Sequence, residues 1–402
     1  MGDRLLWVPR VLLFPAHVVM EYGLRWPLGT LTMAAERGRW IQIITELFTF
    51  GPGGKMGAFP TALIDFGFRS SVGAYYFWDD AGGKGNALRL HAAIGGFDWL
   101  RLTGSYRIQI DPTTNLRLRA EGWRRPDGAF YGIGPSSQER MLSRYSSNIF
   151  AASAILEARP SRALTLTTIS TLRHIRFPAE ECCDEPTLHD RVDAGQLPSP
   201  PGYDTGFTSV RHGLRVALDS RAPRPEPASG ARLELLADLG LDADRAESTR
   251  WVTYGGTAGG FLDITGKNRV LSLSVTTIFA DRLGEGEIPF LELPTLGGDG
   301  PMRGFLPGRL YGESLAAAKL EYRYPVWAFL DGTLQVAVGN VFGQHLAGFR
   351  TELLRTSFAF GVRTFGERDQ SFDILVGAGT ETFEDGAKLN SARIVFGTTN
   401  GF

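Results

Sequence analysis

Two adjacent cysteines in an acidic stretch are the first residues of this sequence that suggest chemistry. Cys182 and Cys183 lie within the acidic residues of 180–185, with His189 nearby, and these residue types bind metal ions. Adjacent cysteines cannot easily serve one tetrahedral zinc ion together, and a cation held by the acids alone has no better support. We therefore expect either a vicinal disulfide or two reduced thiols in a loop, and no metal.

The rest of the sequence shows no catalytic motif. The histidines are scattered without an HExxH pattern, and neither a P-loop nor a Gly-x-Ser-x-Gly elbow occurs. The net charge of -1 gives no electrostatic reason to expect nucleic acid as a partner. The sequence therefore predicts a protein that is not an enzyme, uses no cofactor and binds no nucleic acid.

Alternation of apolar and polar residues is the clearest structural signal. In 210–219, valines and leucines fall on one face, and arginines and an aspartate on the other; 100–110 repeats the pattern. Many such segments run about ten residues, the length that a tilted strand needs to cross the hydrocarbon core. Aromatic residues at 75–78, Trp99 and Trp123 suggest an interfacial girdle. The pattern favours a transmembrane β-barrel over a soluble β-sandwich, whose polar face would lie outside.

About sixteen strands can be counted, an even number as single-chain bacterial barrels require. If the first strand runs outward, the long connections 126–140, 176–207 and 283–313 are extracellular. The predicted fold is an all-β membrane protein, a transmembrane antiparallel barrel of about sixteen strands. The strands are expected near 60–68, 71–79, 86–96, 99–110, 115–125, 141–157, 163–175, 208–219, 230–240, 250–264, 269–282, 314–325, 332–341, 355–364, 371–380 and 389–399.

Residues 1–58 do not follow the strand pattern. The stretch 34–50 can be drawn as a helix, and 5–23 is a second mixed apolar stretch. We expect one or two short amphipathic helices on the periplasmic side, packed against the barrel mouth or the inner leaflet. A disordered tail is the alternative. The predicted domains are this helical segment, 1–58, and the barrel, 59–402.

The segment before the twelfth predicted strand carries a motif. Residues 296–305 read LGGDGPMRGF, and the strand after them ends LEYRYP at 320–325. This combination resembles the BamA/TamA family of outer-membrane assembly and translocation barrels (bacterial surface antigen barrels). In that family a GG…RGF loop folds back into the lumen ahead of a strand carrying EYR-P. The stretches 130–135 and 213–221 match more loosely. The resemblance covers the chain from about residue 60 onward, and we expect it to lack the family's N-terminal POTRA modules.

The resemblance implies that the loop 283–313 folds inward. The tip of this loop would consist of Arg303, Gly304 and Phe305. Glycines let such a loop bend without steric cost, and those before the tip are Gly297, Gly298 and Gly300. A surface loop whose arginine meets water is the alternative.

An inserted arginine needs an acid on the barrel wall, because its planar guanidinium suits a carboxylate. Glu321 lies on the predicted lumen face, where the family places that acid. The family's second acid, on the thirteenth strand, is replaced by Ala337. Either Glu321 suffices as the partner of Arg303, or another lumen acid such as Asp373 substitutes, or the loop is held less firmly.

The two ends of the barrel also carry signals. The terminal Phe402, on an alternating last strand, looks like the signal that assembly machinery reads on outer-membrane barrels. Gly397 and Gly401 weaken the interior of the last strand, and Pro60 removes a backbone donor from the first strand. We therefore predict an under-paired lateral seam, which in the resembling family is proposed to open sideways. An ordinary closed seam is the alternative.

Three functions are compatible with the sequence. The first, implied by the resemblance, is insertion or translocation of protein (or lipid) at the bacterial outer membrane. Its partners would be the lipid bilayer, unfolded outer-membrane proteins or lipid, and periplasmic proteins. The second is a barrel anchor or interaction subunit of a membrane complex, and the third is a passive or selective channel. A plugged lumen would argue against a channel, and a well-paired seam would argue against insertion.

Overall fold

A computed structural model of the chain describes residues 46–179, 182–221, 229–327, 330–364 and 370–400, with six isolated positions before residue 46. Gly401, Phe402 and most of the predicted N-terminal helical segment lie outside these described residues. At the described end of the predicted helix 34–50, Thr49–Phe50 is a strand and not part of a helix. Within the described residues, no helix is both long and apolar enough to span a membrane.

Sixteen long strands form an antiparallel sheet that closes on itself, because the last strand pairs with the first. The predicted barrel is therefore confirmed. The strands are β1 (Met56–Asp65), β2 (Ser71–Asp79), β3 (Ala87–Gly96), β4 (Trp99–Asp111), β5 (Thr114–Phe130), β6 (Ser143–Ala158), β7 (Leu164–Arg176), β8 (Phe207–Asp219), β9 (Gly230–Asp242), β10 (Arg250–Asp263), β11 (Val270–Arg282), β12 (Ser314–Trp327), β13 (Leu330–Phe342), β14 (Arg355–Thr364), β15 (Gln370–Thr380) and β16 (Leu389–Asn400).

The sheet begins earlier than the sequence predicted. The first barrel strand starts at Met56, and the two-residue strand Thr49–Phe50 pairs with Gly57 and Met56. The boundary between the two predicted domains, 1–58 and 59–402, therefore falls inside the sheet. The glycine-rich turn 51–54 reverses the chain between Thr49–Phe50 and β1, so a helix that begins before residue 49 cannot continue into the barrel.

The two faces of the strands differ as the alternation predicted. On β14, Phe358 and Phe360 are exposed on the outer surface, whereas Ser357 and Ala359 are buried on the lumen side. An apolar outer surface suits the hydrocarbon core of the membrane, whereas polar side chains are placed on the inner surface, away from the lipid. The predicted aromatic girdle is wrong at Phe77 and Trp99, because both side chains are buried at lumen-facing positions.

The lumen is filled at the end where the long loops meet. Phe290, from the loop between β11 and β12, contacts the rings of Phe130, Tyr145 and Tyr311 at centroid distances of 5.4, 5.5 and 5.8 Å. The loop between β7 and β8 adds a short helix, α1 (Leu188–Asp193). The main apolar core of the molecule thus lies inside one end of the barrel.

Candidate functional site

The segment between β11 and β12, residues 283–313, folds into the lumen. Gly297 and Gly298 have φ of +111° and +63°, a backbone region that favours glycine, and they turn the chain toward residues 299–307. We call residues 297–307 the loop tip. The arms on either side pair as a short hairpin, Thr295–Leu296 with Leu310–Tyr311.

The loop tip contacts the wall formed by β14 and β15. The backbone NH of Gly304 donates to Ser357 Oγ at 2.8 Å. A Cβ on Gly304 would clash with the carbonyl oxygen of Ala378, so a larger residue would push the tip away. The ring of Phe305 lies on Gly379, where a side chain would overlap it. Glycine on each side therefore allows the tip and the wall to approach closely.

Arg303 extends from the loop tip to a carboxylate on β15. Its Nη2 donates to Oδ2 of Asp373 at 2.5 Å, and both residues are buried. Arg363 of β14 donates to the same oxygen from Nη2 at 2.7 Å and from Nε at 3.1 Å. One buried aspartate thus holds two guanidinium groups.

Of the partners expected for Arg303, the structure has Asp373 and not Glu321. Glu321 lies on β12, where it accepts a hydrogen bond from Lys319 Nζ at 3.0 Å. Because the tip rests on β14 and β15, the acid within reach of Arg303 is Asp373. Ala337, at the position of the family's second acid, belongs to the apolar cluster around the loop tip.

Arg393 of β16 connects the loop tip to the seam between the last strand and the first. Its Nη1 donates to the carbonyl oxygen of Gly298 and lies 3.5 Å from that of Arg303. Its Nη2 and Nε lie 3.1 and 3.4 Å from the two carboxylate oxygens of Asp65 on β1. A single buried guanidinium therefore binds the tip and bridges the seam. Sequence reasoning missed it, although its lumen-facing position on an alternating strand was readable.

The backbone pairing at this seam is short. Within the described part of the chain, β16 pairs with β1 over three residues, Val395–Gly397 against Leu63–Asp65. By contrast, β10 and β11 pair along their whole length, from Trp251 to Asp263. Gly397 has φ of +140°, and a Cβ on it would clash with the carbonyl oxygen of Ala62. Of the other predicted seam residues, Pro60 pairs with Ala74 of β2 and lies three residues before the part of β1 that pairs with β16.

A second charged anchor holds the loop to the opposite wall. Glu292, in the short turn 290–292, has a fully buried side chain. Its carboxylate accepts hydrogen bonds from Ser209 Oγ at 2.8 Å, Arg211 Nη1 at 3.0 Å and Arg173 Nη1 at 3.3 Å. The loop therefore crosses the lumen, with an acid bound at one wall and an arginine bound at the other. Nothing in the family motif marked Glu292.

A buried cluster joins the base of this loop to the loop 131–142. Arg309 is fully buried, and it donates to Glu139 Oε2 at 2.7 Å and to Glu381 Oε2 at 3.3 Å. Arg355, also fully buried, donates to Glu381 as well. Three connections at the long-loop end are thus held together by two arginines and two acids.

The two acids of this cluster differ in acidity. Burial raises the pKa of Glu139, and it outweighs the opposing charge of Arg309. Burial also acts to raise the pKa of Glu381, but hydrogen bonds from the backbone NH of Glu139 and from Arg355 bring that pKa below its usual value. Glu381 is therefore the acid that carries the negative charge most readily.

The adjacent cysteines form a Cys182–Cys183 disulfide in the loop before α1. Among the described residues, no group of histidine, cysteine, aspartate and glutamate side chains is arranged to hold a metal ion. Of the two outcomes expected from the sequence, the structure thus has the vicinal disulfide.

The chain is similar in sequence and in fold to known outer-membrane proteins. Residues 180–363, which include the loop tip and the EYR-P strand, match the Omp85 superfamily domain. No curated protein sequence matches the chain. The barrel is similar in fold to BamA from Haemophilus ducreyi lacking POTRA domains 1–3, with a TM-score of 0.58 and 15% identity over 86% of this chain and 70% of that one.

Two CdiB structures are similar as well. CdiB from Acinetobacter baumannii has a TM-score of 0.53 at 13% identity, and CdiB from Escherichia coli has 0.51 at 11%. The matches cover 86% and 87% of this chain, but 59% and 64% of those chains, so the chain spans less than two thirds of either CdiB. This chain is therefore a β-barrel of the bacterial outer membrane with a BamA-like fold, and its residues 180–363 match the Omp85 superfamily domain.

Proposed function

We propose that this chain inserts polypeptide, or lipid, into the outer membrane through the seam between β16 and β1, with residues 283–313 closing the lumen. The observation that carries the proposal is the short seam, three paired residues on each strand, bridged by Arg393 and Asp65. A strand edge with unpaired NH and C=O groups is a template on which another chain can pair. An incoming strand would add to β1 or β16 by the same hydrogen bonds.

The cost of separating the seam is small beside that of any other strand pair in this barrel. Each net backbone hydrogen bond is worth about 0.5–1.5 kcal/mol, so a three-residue ladder contributes only a few kcal/mol. Additional contacts across the seam are the bridge between Arg393 and Asp65 and a hydrogen bond from the backbone NH of Phe66 to the carbonyl oxygen of Ile394 at 2.9 Å. Because the same guanidinium also binds the loop tip, movement of the tip and opening of the seam would be coupled.

The loop across the lumen argues against a passive channel. Glu292 is bound at the wall of β7 and β8, and Arg303 at the wall of β14 and β15, with the aromatic cluster of Phe290 above them. A route through the lumen would require all of these contacts to break together. The sideways route at the seam requires far fewer, so it supports insertion over conduction.

A barrel that only anchors a complex would need no weak seam, and this difference can be tested. Ile64 and Phe396 are directly opposed across the seam, on the outer face. Replacing both with cysteine would let a disulfide lock the seam, because opposed strand residues lie within disulfide range. Val376 and Ile394 are opposed in the same way between β15 and β16, and they provide the matched control.

The assay is insertion of an unfolded small barrel protein into proteoliposomes that contain this chain. We expect acceleration by the unmodified chain and by the oxidised control pair. Oxidation of the pair at 64 and 396 should abolish the acceleration, and a reductant should restore it. Full activity with the seam locked would refute the sideways route. No acceleration by any form would favour an anchor or a subunit that acts with periplasmic partner proteins.

A further inference from the structure

The lumen wall of β4 and β5 carries arginines that the proposed function does not use. Arg107 of β4 lies directly opposite Arg117 of β5, and Arg119 follows on the same face. All three are half-buried on the lumen side. Opposed residues of an antiparallel pair have Cβ atoms only about 5 Å apart, so two like charges there destabilise the sheet.

Acids nearby are already engaged by other partners. Glu121 accepts from Arg119 Nη2 at 2.7 Å and lies 3.7 Å from Arg101 Nη2. Glu157, on the next strand, binds Arg159 at 2.9 Å. Neither Arg107 nor Arg117 forms an ion pair within the part of the chain that the structure describes, and the Nε of Arg107 is buried without a hydrogen-bond acceptor.

A guanidinium with a buried, unsatisfied Nε–H beside a second like charge is destabilising unless an anion completes the site. We propose that Arg107 and Arg117, with Arg119 beside them, bind a phosphate group in the lumen. Two free guanidinium groups carry two positive charges, and a phosphate monoester carries about -1.5 to -2 at pH 7. A carboxylate would neutralise only one of them, and arginine forks bind phosphate oxygens in pairs.

The site is placed where a ligand can reach it. Arg117 is level with Ile169 of β7 through the paired strands β5, β6 and β7, four residues nearer the short turns than Arg173. At about 3.3 Å per residue, this is an offset of about 13 Å along the strands from the level of Arg173, which binds Glu292 of the loop 283–313. The phosphate would therefore enter from the short-turn end, predicted to be periplasmic. The headgroup of a phosphate-bearing lipid or a soluble phosphate compound could supply it.

Thermal unfolding of the full chain, with and without phosphate, tests the site. The variants are Arg107→Gln and Arg117→Gln, and the control is Arg162→Gln, an exposed arginine in a turn at the same end. Without phosphate, each lumen variant should raise the unfolding midpoint, because it removes a like-charge repulsion. A merely structural arginine would lower it.

With inorganic phosphate, matched in ionic strength by nitrate, the unmodified chain and the control should be stabilised. Each lumen variant should bind phosphate about tenfold more weakly, the effect expected for one lost charge-assisted hydrogen bond. A parallel series uses phosphatidylcholine vesicles with and without phosphatidic acid. Stabilisation by phosphatidic acid alone identifies a lipid headgroup, and stabilisation by inorganic phosphate identifies a soluble source.

Two results would overturn the proposal. One is that neither probe stabilises the unmodified chain more than the two lumen variants. The other is that both variants lower the midpoint without phosphate, since the arginines would then be held by the barrel itself. Either result leaves the insertion proposal untouched, because the seam assay does not depend on this wall.

Discussion

Removal of the acid beneath the loop tip should cost more than removal of the arginine that the family motif marks. Asp373→Ala leaves the buried guanidinium of Arg303 and the partly exposed guanidinium of Arg363 without their shared carboxylate. Breaking a buried pair so that a charge is stranded costs about 3–5 kcal/mol. Arg303→Ala leaves Asp373 bound by Arg363, so only one charge-assisted hydrogen bond is lost, about 1.5–3 kcal/mol.

The matched control is Glu321→Ala, which removes the acid that the sequence predicted as the anchor. Glu321 and its partner Lys319 are each about one quarter exposed, with side-chain exposures of 25% and 27%. An ion pair of this kind is screened by water, and we expect a loss below about 1 kcal/mol. The expected order of destabilisation is therefore Asp373→Ala, then Arg303→Ala, then Glu321→Ala.

Two measurements check this order. Urea unfolding of the barrel in lipid vesicles gives the free energy of unfolding of each variant. Limited trypsin digestion reports the loop itself, because Asp373→Ala retains Arg303 and should expose it to cleavage. If Glu321→Ala costs as much as Asp373→Ala, or if trypsin resistance is unchanged when Asp373 is removed, the assignment of the anchor is incorrect.

Two further predictions concern the other contacts of the loop 283–313. Glu292→Ala should destabilise the barrel by about 3–5 kcal/mol, because it leaves Arg173 and Arg211 at the opposite wall without their carboxylate partner. The control is Glu287→Ala, in the same loop. Equal free energies of unfolding for the two variants would contradict the second anchor. The pKa of Glu381 is lowered on folding, so its contribution to stability is present above the unfolded value, about 4.3, and is lost as the pH falls through the lower folded value. Glu381→Gln should therefore flatten the fall in unfolding midpoint below about pH 4, and an unchanged pH profile would show that this acid is not linked to folding.

The barrel could be predicted from the sequence because period-two alternation is a local property. The alternation within each strand indicates which of its faces meets the hydrocarbon. On β14, for example, Phe358 and Phe360 are exposed on the outer face, and Ser357 is buried on the inner face. The aromatic girdle failed at Trp99 because ring type alone does not say which face of the strand the ring occupies. The partner of Arg303 could be narrowed only to Glu321 or another lumen acid such as Asp373, for a different reason. The choice between Glu321 and Asp373 depends on where a 31-residue loop comes to rest, which no local pattern records.

Sequence reasoning missed two further site residues for the same reason, namely that their contacts depend on the folded position of the loop. Glu292 is a loop acid whose partners come from β7 and β8, and Arg393 is one of several arginines on alternating strands. Neither has a local signal that separates it from its neighbours. The length of the seam depends on the stagger between β16 and β1, and closing a barrel sets that stagger for all strands together. Gly397 indicated a weak strand, but not that pairing would stop after three residues.

The polarity of the two anchors constrains how the loop can move. An acid at 292 meets arginines on one wall, and an arginine at 303 meets an aspartate on the other, so the loop cannot cross the lumen in the reverse direction without opposing like charges at both ends. The positive φ of Gly297 and Gly298 places a bend between the anchors, next to the carbonyl that Arg393 holds. In the proposed opening of the seam, a change of backbone angles at these glycines would let the tip move away while Glu292 stays bound. A loop hinged in this way would release Arg393, and with it the seam, while the lumen stays closed, which is what insertion without leakage requires.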